Sequence, residues 1–381
     1  MPVHISSAFD SGAIDVIACN ADRIELAIRP DVTADRARGE FLQWFHFRVS
    51  GVEQTGAQLS IVNAGTTTYP NGWRDYRAVA SWDRRSWERI PTRYDGQILT
   101  INLPPAPGPS YIAYFEPFSQ ERHLALLADC VARGARSLRL GASVQGRDID
   151  ALTVGSGARQ VWIIARQHPG ETMAEWFVDG LLRRLLNDAD ALVRDLRRVA
   201  TFHIVPNMNP DGSVLGNLRT NAAGANLNRE WLQPSVDRSP EVECVRDAIE
   251  STGCDAFFDI HGDENLPYVF VAGCEMLPSF SAKQSVEQQA FAADFRAASP
   301  EFQTEHGYHA SKYQDDVLKL ASKYIGHRFG CLSLTLEMPF KDNANAPDQR
   351  FGWSGARSAR LGAAMLEPIA RHLARSEGSS A

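Results

Sequence analysis

Four short polar clusters carry the residue types from which a hydrolytic metal site is built. Arg166-Gln167-His168-Pro169-Gly170-Glu171 follows one apolar run, and Pro206-Asn207-Met208-Asn209-Pro210-Asp211-Gly212 follows a second. His261-Gly262-Asp263 follows a third, and a fourth run ends in Thr335-Leu336-Glu337. A catalytic zinc takes three protein ligands and keeps its fourth position for water, and two histidines with one glutamate fit that count. His168 and Glu171 are three residues apart, and Pro169-Gly170 can turn tightly enough to aim both at one point. His261 offers the third ligand from another strand end, with Asp259 or Asp263 available to orient a ligand from behind. Glu337 follows an apolar β run, where a carboxylate is costly unless it is paired or functional. Beside an activated water it suits a general base. A lone H-x-x-E pair is common by chance. Four polar clusters, each at an expected strand exit, make the stronger signal.

Residues 216–231 (GNLRTNAAGANLNREW) add Arg219, Asn228 and Arg229 in a loop of Gly, Asn and Ala. Guanidinium groups bind carboxylates bidentately and keep their charge, so the cluster suits a substrate with a free carboxylate. Taken alone, the same residues read as a solvated loop in an arginine-rich chain.

The elements that must position these residues fall into two rhythms. Residues 23–29, 42–49, 58–62, 76–81, 98–103 and 111–115 read as short strands separated by turn signals such as Pro70-Asn71-Gly72. That pattern predicts an antiparallel β-sandwich over residues 1–118. From residue 119 to 381 the pattern is α/β. A helix is expected at 120–132, and strands at 160–164, 200–205, 256–260, 268–271 and 332–336. Helices are expected at 174–186, 240–251, 286–297 and 354–374. Continuous apolar strands alternating with helices imply a mostly parallel or mixed central sheet with helices on both faces. Ligands of such sheets bind beyond the carboxyl ends of the strands.

The formal net charge of -7 argues against general affinity for nucleic acid or anionic membrane. No run of about 18 apolar residues occurs, so no membrane span is expected. The first residues lack a basic start followed by a long apolar run, so the expected compartment is the cytoplasm. The six cysteines are scattered, with no C-x-x-C pair to suggest a thiolate zinc site. The five lysines (Lys283, Lys312, Lys319, Lys323 and Lys341) all lie in one C-terminal segment.

Together these motifs resemble the M14 metallocarboxypeptidases, and most closely their cytosolic branch. The similarity rests on HPGET at 168–172, NPDG at 209–212, GN-x-R at 216–219, LNREW at 227–231, D-x-HG at 259–262 and TLE at 335–337. QWFHFRVS at 43–50 and YIAYFEPFS at 111–119 are similar to the N-terminal domain of that branch. The resemblance implies a zinc carboxypeptidase-type catalytic domain acting on peptide or protein C-termini. It implies one zinc held by His168, Glu171 and His261, with Glu337 deprotonating the attacking water. Arg219 would polarise the scissile carbonyl, and Asn228 and Arg229 would hold the terminal carboxylate. The family's side-chain pocket precedes the catalytic Glu, and acid-specific members place a basic residue there. Lys319, Lys323, His327 and Arg328 lie in that segment, so acidic C-termini are the expected preference.

Departures stand at Asp263-Glu264, where eukaryotic members commonly carry a second His, and at Met338-Pro339-Phe340-Lys341-Asp342 after the Glu. They keep the eukaryotic substrate, polyglutamylated tubulin, from being carried over. Tyr313 is a weak candidate for the family's substrate-binding tyrosine. Two other readings remain: a zinc deacylase acting on N-acyl amino acids, and a non-catalytic binding protein. The oligomeric state is not legible here.

Overall fold

Alternation along residues 45–49 sends Phe45, Phe47 and Val49 to one side, and all three are fully buried. They lie between two five-stranded sheets that make up the N-terminal part of the chain. The computed structural model describes residues 3–20, 23–52, 54–309 and 317–378. The strands are β1 (His4–Ser6), β2 (Asp15–Cys19), β3 (Ile24–Ala27), β4 (His46–Ser50) and β5 (Ala57–Ile61). They continue with β6 (Val79–Ser81), β7 (Glu88–Arg89), β8 (Thr92–Tyr94), β9 (Leu99–Leu103) and β10 (Ser110–Ala113). One sheet runs β1-β4-β10-β6-β7 and the other β2-β3-β5-β9-β8. Pairing is antiparallel except between β3 and β5, which run parallel.

The C-terminal part begins with α1 (Gln120–Ala132), capped by the Ser119 side chain on the Arg122 amide. Its sheet is mixed and seven-stranded. The strands are β11 (Arg136–Ala142), β12 (Asp148–Gly155), β13 (Arg159–Ala165), β14 (Ala200–Val205), β15 (Ala256–Asp263), β16 (Phe270–Ala272) and β17 (Leu332–Pro339). Their order is β11-β12-β14-β13-β15-β17-β16, with β14, β13, β15 and β17 parallel and the outer strands antiparallel. Helices α2 (Met173–Leu185), α3 (Ala191–Val199), α4 (Pro210–Leu215), α5 (Pro240–Thr252), α6 (Ala282–Ala298), α7 (Ala321–Phe329), α8 (Gly355–Ala364) and α9 (Leu366–Gly378) complete this part.

Alternation decides which face each helix covers. Val161, Ile163 and Ala165 of β13 pack with residues of α2, α3, α6, α8 and α9, whereas Trp162 and Ile164 pack with α5 and α7. The expected helix over 354–374 is two helices meeting at Met365. Pro368 offers no N–H to the last turn of α8, and its ring opposes a continuous helix there. Helix α6 starts at Ala282, earlier than its apolar pattern suggests, because Ser281 and Gln284 form a capping box. The first core cluster runs without a break from the sandwich into the C-terminal part, and Tyr114 stacks on Phe340 at 4.5 Å.

Candidate metal centre and active site

The metal corner starts with a strained residue. Arg166 leaves β13 with φ 59°, in the left-handed region, and is 1% exposed. Its guanidinium donates to the carbonyls of Pro169 (2.9 Å) and Phe118 (2.8 Å) and to Glu175 Oε2 (2.7 Å). Those bonds curl residues 166–170 back on themselves and account for the unusual backbone. Gly170 closes the curl. Its amide donates to the Leu218 carbonyl at 2.9 Å, and a Cβ there would lie 3.0 Å from the same oxygen.

His261 and Glu337 are not loop residues as expected. They lie within β15 and β17, because parallel pairing continues three residues beyond the apolar runs, and they are direct register partners. His168, Glu171 and His261 form the one cluster of potential metal ligands among the described residues, and all three are buried. His168 Nδ1 lies 2.6 Å from Glu171 Oε1, and His261 Nδ1 lies 2.7 Å from Glu171 Oε2. The two Nδ1 atoms are 3.2 Å apart. Ligands about 2.0 Å from a tetrahedral zinc stand about 3.3 Å from one another, which the Nδ1–Nδ1 distance matches, whereas the two contacts to Glu171 are at hydrogen-bond distance.

The far ring nitrogens fix the tautomers. His168 Nε2 faces Asn226 Oδ1 at 3.0 Å, and His261 Nε2 faces Asp259 Oδ2 at 2.9 Å. Each acceptor calls for a proton on Nε2, which leaves the Nδ1 lone pair for a metal. Asp259 is thus the residue behind His261. Asp263 instead accepts from the Asn265 and Leu266 amides, at 2.8 and 2.6 Å.

The electrostatics follow from burial and close charge. Burial pushes His168 down to about 3, helped by the Arg219 charge and opposed by Glu171. Burial also works against the charged forms of Glu171 and His261. Even so, the two histidines pull Glu171 well below its ordinary value, and Asp259 and Glu171 raise His261 well above its own. Burial lifts Glu337 to about 8, opposed by His261 and reinforced by Glu171 and Asp263.

Tyr308 is a residue that sequence reasoning passed over. Its hydroxyl lies 2.6 Å from Asp263 Oδ2 and 2.9 Å from Glu337 Oε1. One hydroxyl proton cannot serve two carboxylates, so both contacts are satisfied together only if one of the two carboxyl groups carries a proton of its own. Tyr313, the earlier candidate, lies outside the described residues.

His168, Glu171, His261 and Glu337 open onto a cavity of ≈ 350 Å³, which Arg219, Asn228, Arg229 and Tyr308 also line. The Asn228 carbonyl oxygen of the side chain accepts from the Ala321 amide at 2.9 Å, which aims its amide nitrogen at His261 Nε2, 3.4 Å away. Arg229 Nη1 donates to the Asn228 main-chain carbonyl at 2.6 Å. Of the four basic candidates for the side-chain pocket, only Lys323 lines the cavity, on α7 and 9% exposed. Lys319 lines a neighbouring groove, and His327 turns away to Ser279 at 2.7 Å. Glu275 lines the same cavity as Lys323.

Comparison with known proteins agrees with both halves. Residues 5–115 match the family model for the cytosolic carboxypeptidase N-terminal domain, and residues 122–353 match that for zinc carboxypeptidase. The crystal structure of a metallo-carboxypeptidase from Burkholderia cenocepacia is 56% identical, with a TM-score of 0.94, covering 99% of this chain and 100% of its own. A metallo-carboxypeptidase from Pseudomonas aeruginosa, in complex with (2-guanidinoethylmercapto)succinic acid, is 45% identical with a TM-score of 0.92, covering 97% of this chain and 100% of its own. Cytosolic carboxypeptidase 6 of Caenorhabditis elegans is 26% identical, over 88% of this chain and 78% of its own length. No helix among the described residues is long and apolar enough to cross a membrane.

Proposed function

We propose a residue-level mechanism for a chain that belongs to the zinc carboxypeptidase family and is a peptidase. It removes C-terminal residues from peptides or proteins, with His168, Glu171 and His261 holding one zinc. The observation that carries this is the joining of two chemistries in one cavity: the buried His-Glu-His triangle, and Arg219, Asn228 and Arg229 beside it. When bound, the metal supplies Lewis-acid polarisation, a more acidic water and the positive charge that draws Glu337 into its carboxylate form.

Asn228 and Arg229 take the substrate's terminal carboxylate, which places the last peptide bond beside Glu337. Glu337 removes a proton from the attacking water as the new C–O bond forms. Arg219 faces the carbonyl oxygen as that atom gains charge. The C–N bond then breaks, and Glu337 passes its proton to the departing amine nitrogen.

Lys323 at the cavity wall supports a preference for acidic C-terminal side chains. A second reading, preference for basic side chains at Glu275, is favoured by the guanidino-bearing ligand of the Pseudomonas aeruginosa relative. Release of Glu, Lys and Phe from matched peptides decides between them. Glu is expected fastest, with that advantage lost in Lys323→Met; Lys fastest would transfer specificity to Glu275. The six cysteines, all unbridged, support the cytoplasm as its place of action.

The activity itself is tested by giving the zinc-loaded chain one peptide with a free C-terminus and the same peptide amidated. Stepwise loss from the free form alone is expected. Equal hydrolysis of both would contradict the roles given to Asn228 and Arg229.

A further inference from the structure

Asp31 belongs to the N-terminal part of the chain, yet its carboxylate is spent on the loop that carries Arg219. It is 3% exposed. Three successive main-chain amides converge on it: Leu218 at 2.6 Å, Arg219 at 2.9 Å and Thr220 at 2.9 Å, with the Thr220 hydroxyl at 2.9 Å as well. Successive amides turned inward form a concave anion-binding backbone, here filled by a side chain from elsewhere in the fold. Asp31 is itself held: its amide donates to the Phe41 carbonyl and its carbonyl accepts from the Gly39 amide, both at 2.7 Å.

The strap has a second hold beside the first. The Val32 amide donates to Asn217 Oδ1 at 2.8 Å, and Asn217 Nδ2 returns a bond to the Val32 carbonyl at 2.9 Å. The Arg219 guanidinium lies over the rings of Phe41 and Tyr69, 5.8 Å from each centroid. Both rings come from the N-terminal part. Backbone and side chain of Arg219 are therefore both set by residues of the other half of the chain. Leu218 in turn accepts from Gly170 in the metal loop at 2.9 Å, which ties the strap to the reacting centre.

We propose that Asp31 is a positioning residue for Arg219, through which the N-terminal domain contributes to transition-state stabilisation without touching substrate. The inference rests on the reading of Arg219 as the carbonyl-facing group. An amide in place of the carboxylate would set an NH2 against the inward-facing N–H groups and leave at least one of them buried and unpaired.

The test is a double-mutant cycle on the zinc-loaded full chain, with kcat and KM measured on one peptide for the parent, Asp31→Asn, Arg219→Ala and the double variant. Zinc content and thermal midpoint are recorded for each. Arg219→Ala is expected to lower kcat by about 100-fold or more. Asp31→Asn is expected to lower kcat by about 10-fold with KM changed less than about 3-fold, and to add almost nothing in the Arg219→Ala background. A kcat equal to the parent's, or a loss carried undiminished into the Arg219→Ala background, would overturn the proposal. An Arg219→Ala variant with parental kcat would instead overturn the reading of Arg219 on which it rests. Should Asp31→Asn fail to fold, Thr220→Val removes one of the same bonds at nearly constant shape. Its kcat is expected to fall by about 3-fold, again only while Arg219 is present. A folded Thr220→Val with parental kcat would count against Asp31.

Discussion

The metal corner and the Arg219 corner of this site face one cavity but are built by different means. The metal corner is built mostly within the catalytic part, with Arg166 and Thr172 each bonded to a main-chain carbonyl at the end of the N-terminal part. His261 and Glu337 are register partners on adjacent parallel strands, so their spacing follows from the sheet. His168 and Glu171 are set by the Arg166 curl, backed by Glu175 and, at 2.6 Å from it, His123. The Arg219 corner depends on two parts of the chain meeting. There a buried charge from the N-terminal part gathers main-chain partners from the catalytic part. Arg89 does with carbonyls what Asp31 does with amides: it donates to Phe340 at 2.6 Å, Phe351 at 3.2 Å and Trp353 at 2.9 Å. A position created by docking lasts only while the docking groups are paired.

Breaking the metal corner should have the largest effect. His261→Ala removes one of the three proposed ligands, and its purified form is expected to lose stoichiometric zinc by elemental analysis along with peptidase activity. Retention of one tightly bound zinc would remove His261 from the ligand set.

Breaking the docking should cost stability before chemistry. Arg89→Met takes the guanidinium donor from the Phe340, Phe351, Trp353 and Arg77 carbonyls, and the bonds to Phe340 and Trp353 are buried. A loss of roughly 3 kcal/mol or more is expected in urea unfolding, with the metal ligands intact. An unchanged urea midpoint would show that the interface does not depend on Arg89.

The smallest effect sharpens the comparison from the metal side. Burial opposes the charged form of His123, yet Glu175 and Asp150 outweigh it and raise the imidazole to about 9. Unfolded, it titrates at about 6.5. Below 6.5 its ion pair contributes fully; the contribution fades as pH rises through about 9, by up to about 3 kcal/mol. Thermal midpoints of the parent should fall across that window, and those of His123→Gln should stay level. Parallel profiles would place the effect elsewhere.

This contrast also marks what was legible in the amino-acid sequence. The parallel strands stood out as apolar runs because both their faces are covered. Strand β11 did not, since Arg136–Arg139 are exposed at the sheet edge and the alternation is weak. Helix α3 escaped notice for a related reason: only Val193 and Leu196 are buried on it. His168, Glu171, His261 and Glu337 were readable as candidates because metal chemistry calls for those residue types and they follow apolar runs in the sequence. Asp31 left no such trace: its partners are backbone amides 187 to 189 residues away, which bear no side-chain signature. Tyr308 meets Glu337 across 29 residues of sequence, with no motif to mark it. Lysines 319 and 323 looked equivalent until α7 directed only Lys323 to the cavity wall.

The most direct test of the account is the peptidase activity of Glu337→Gln with its zinc content measured on the same sample. One zinc retained per chain, with kcat lowered by about 1,000-fold or more, is expected of a lost general base beside an intact metal corner. One zinc retained with peptidase activity unchanged would contradict the mechanism at its centre.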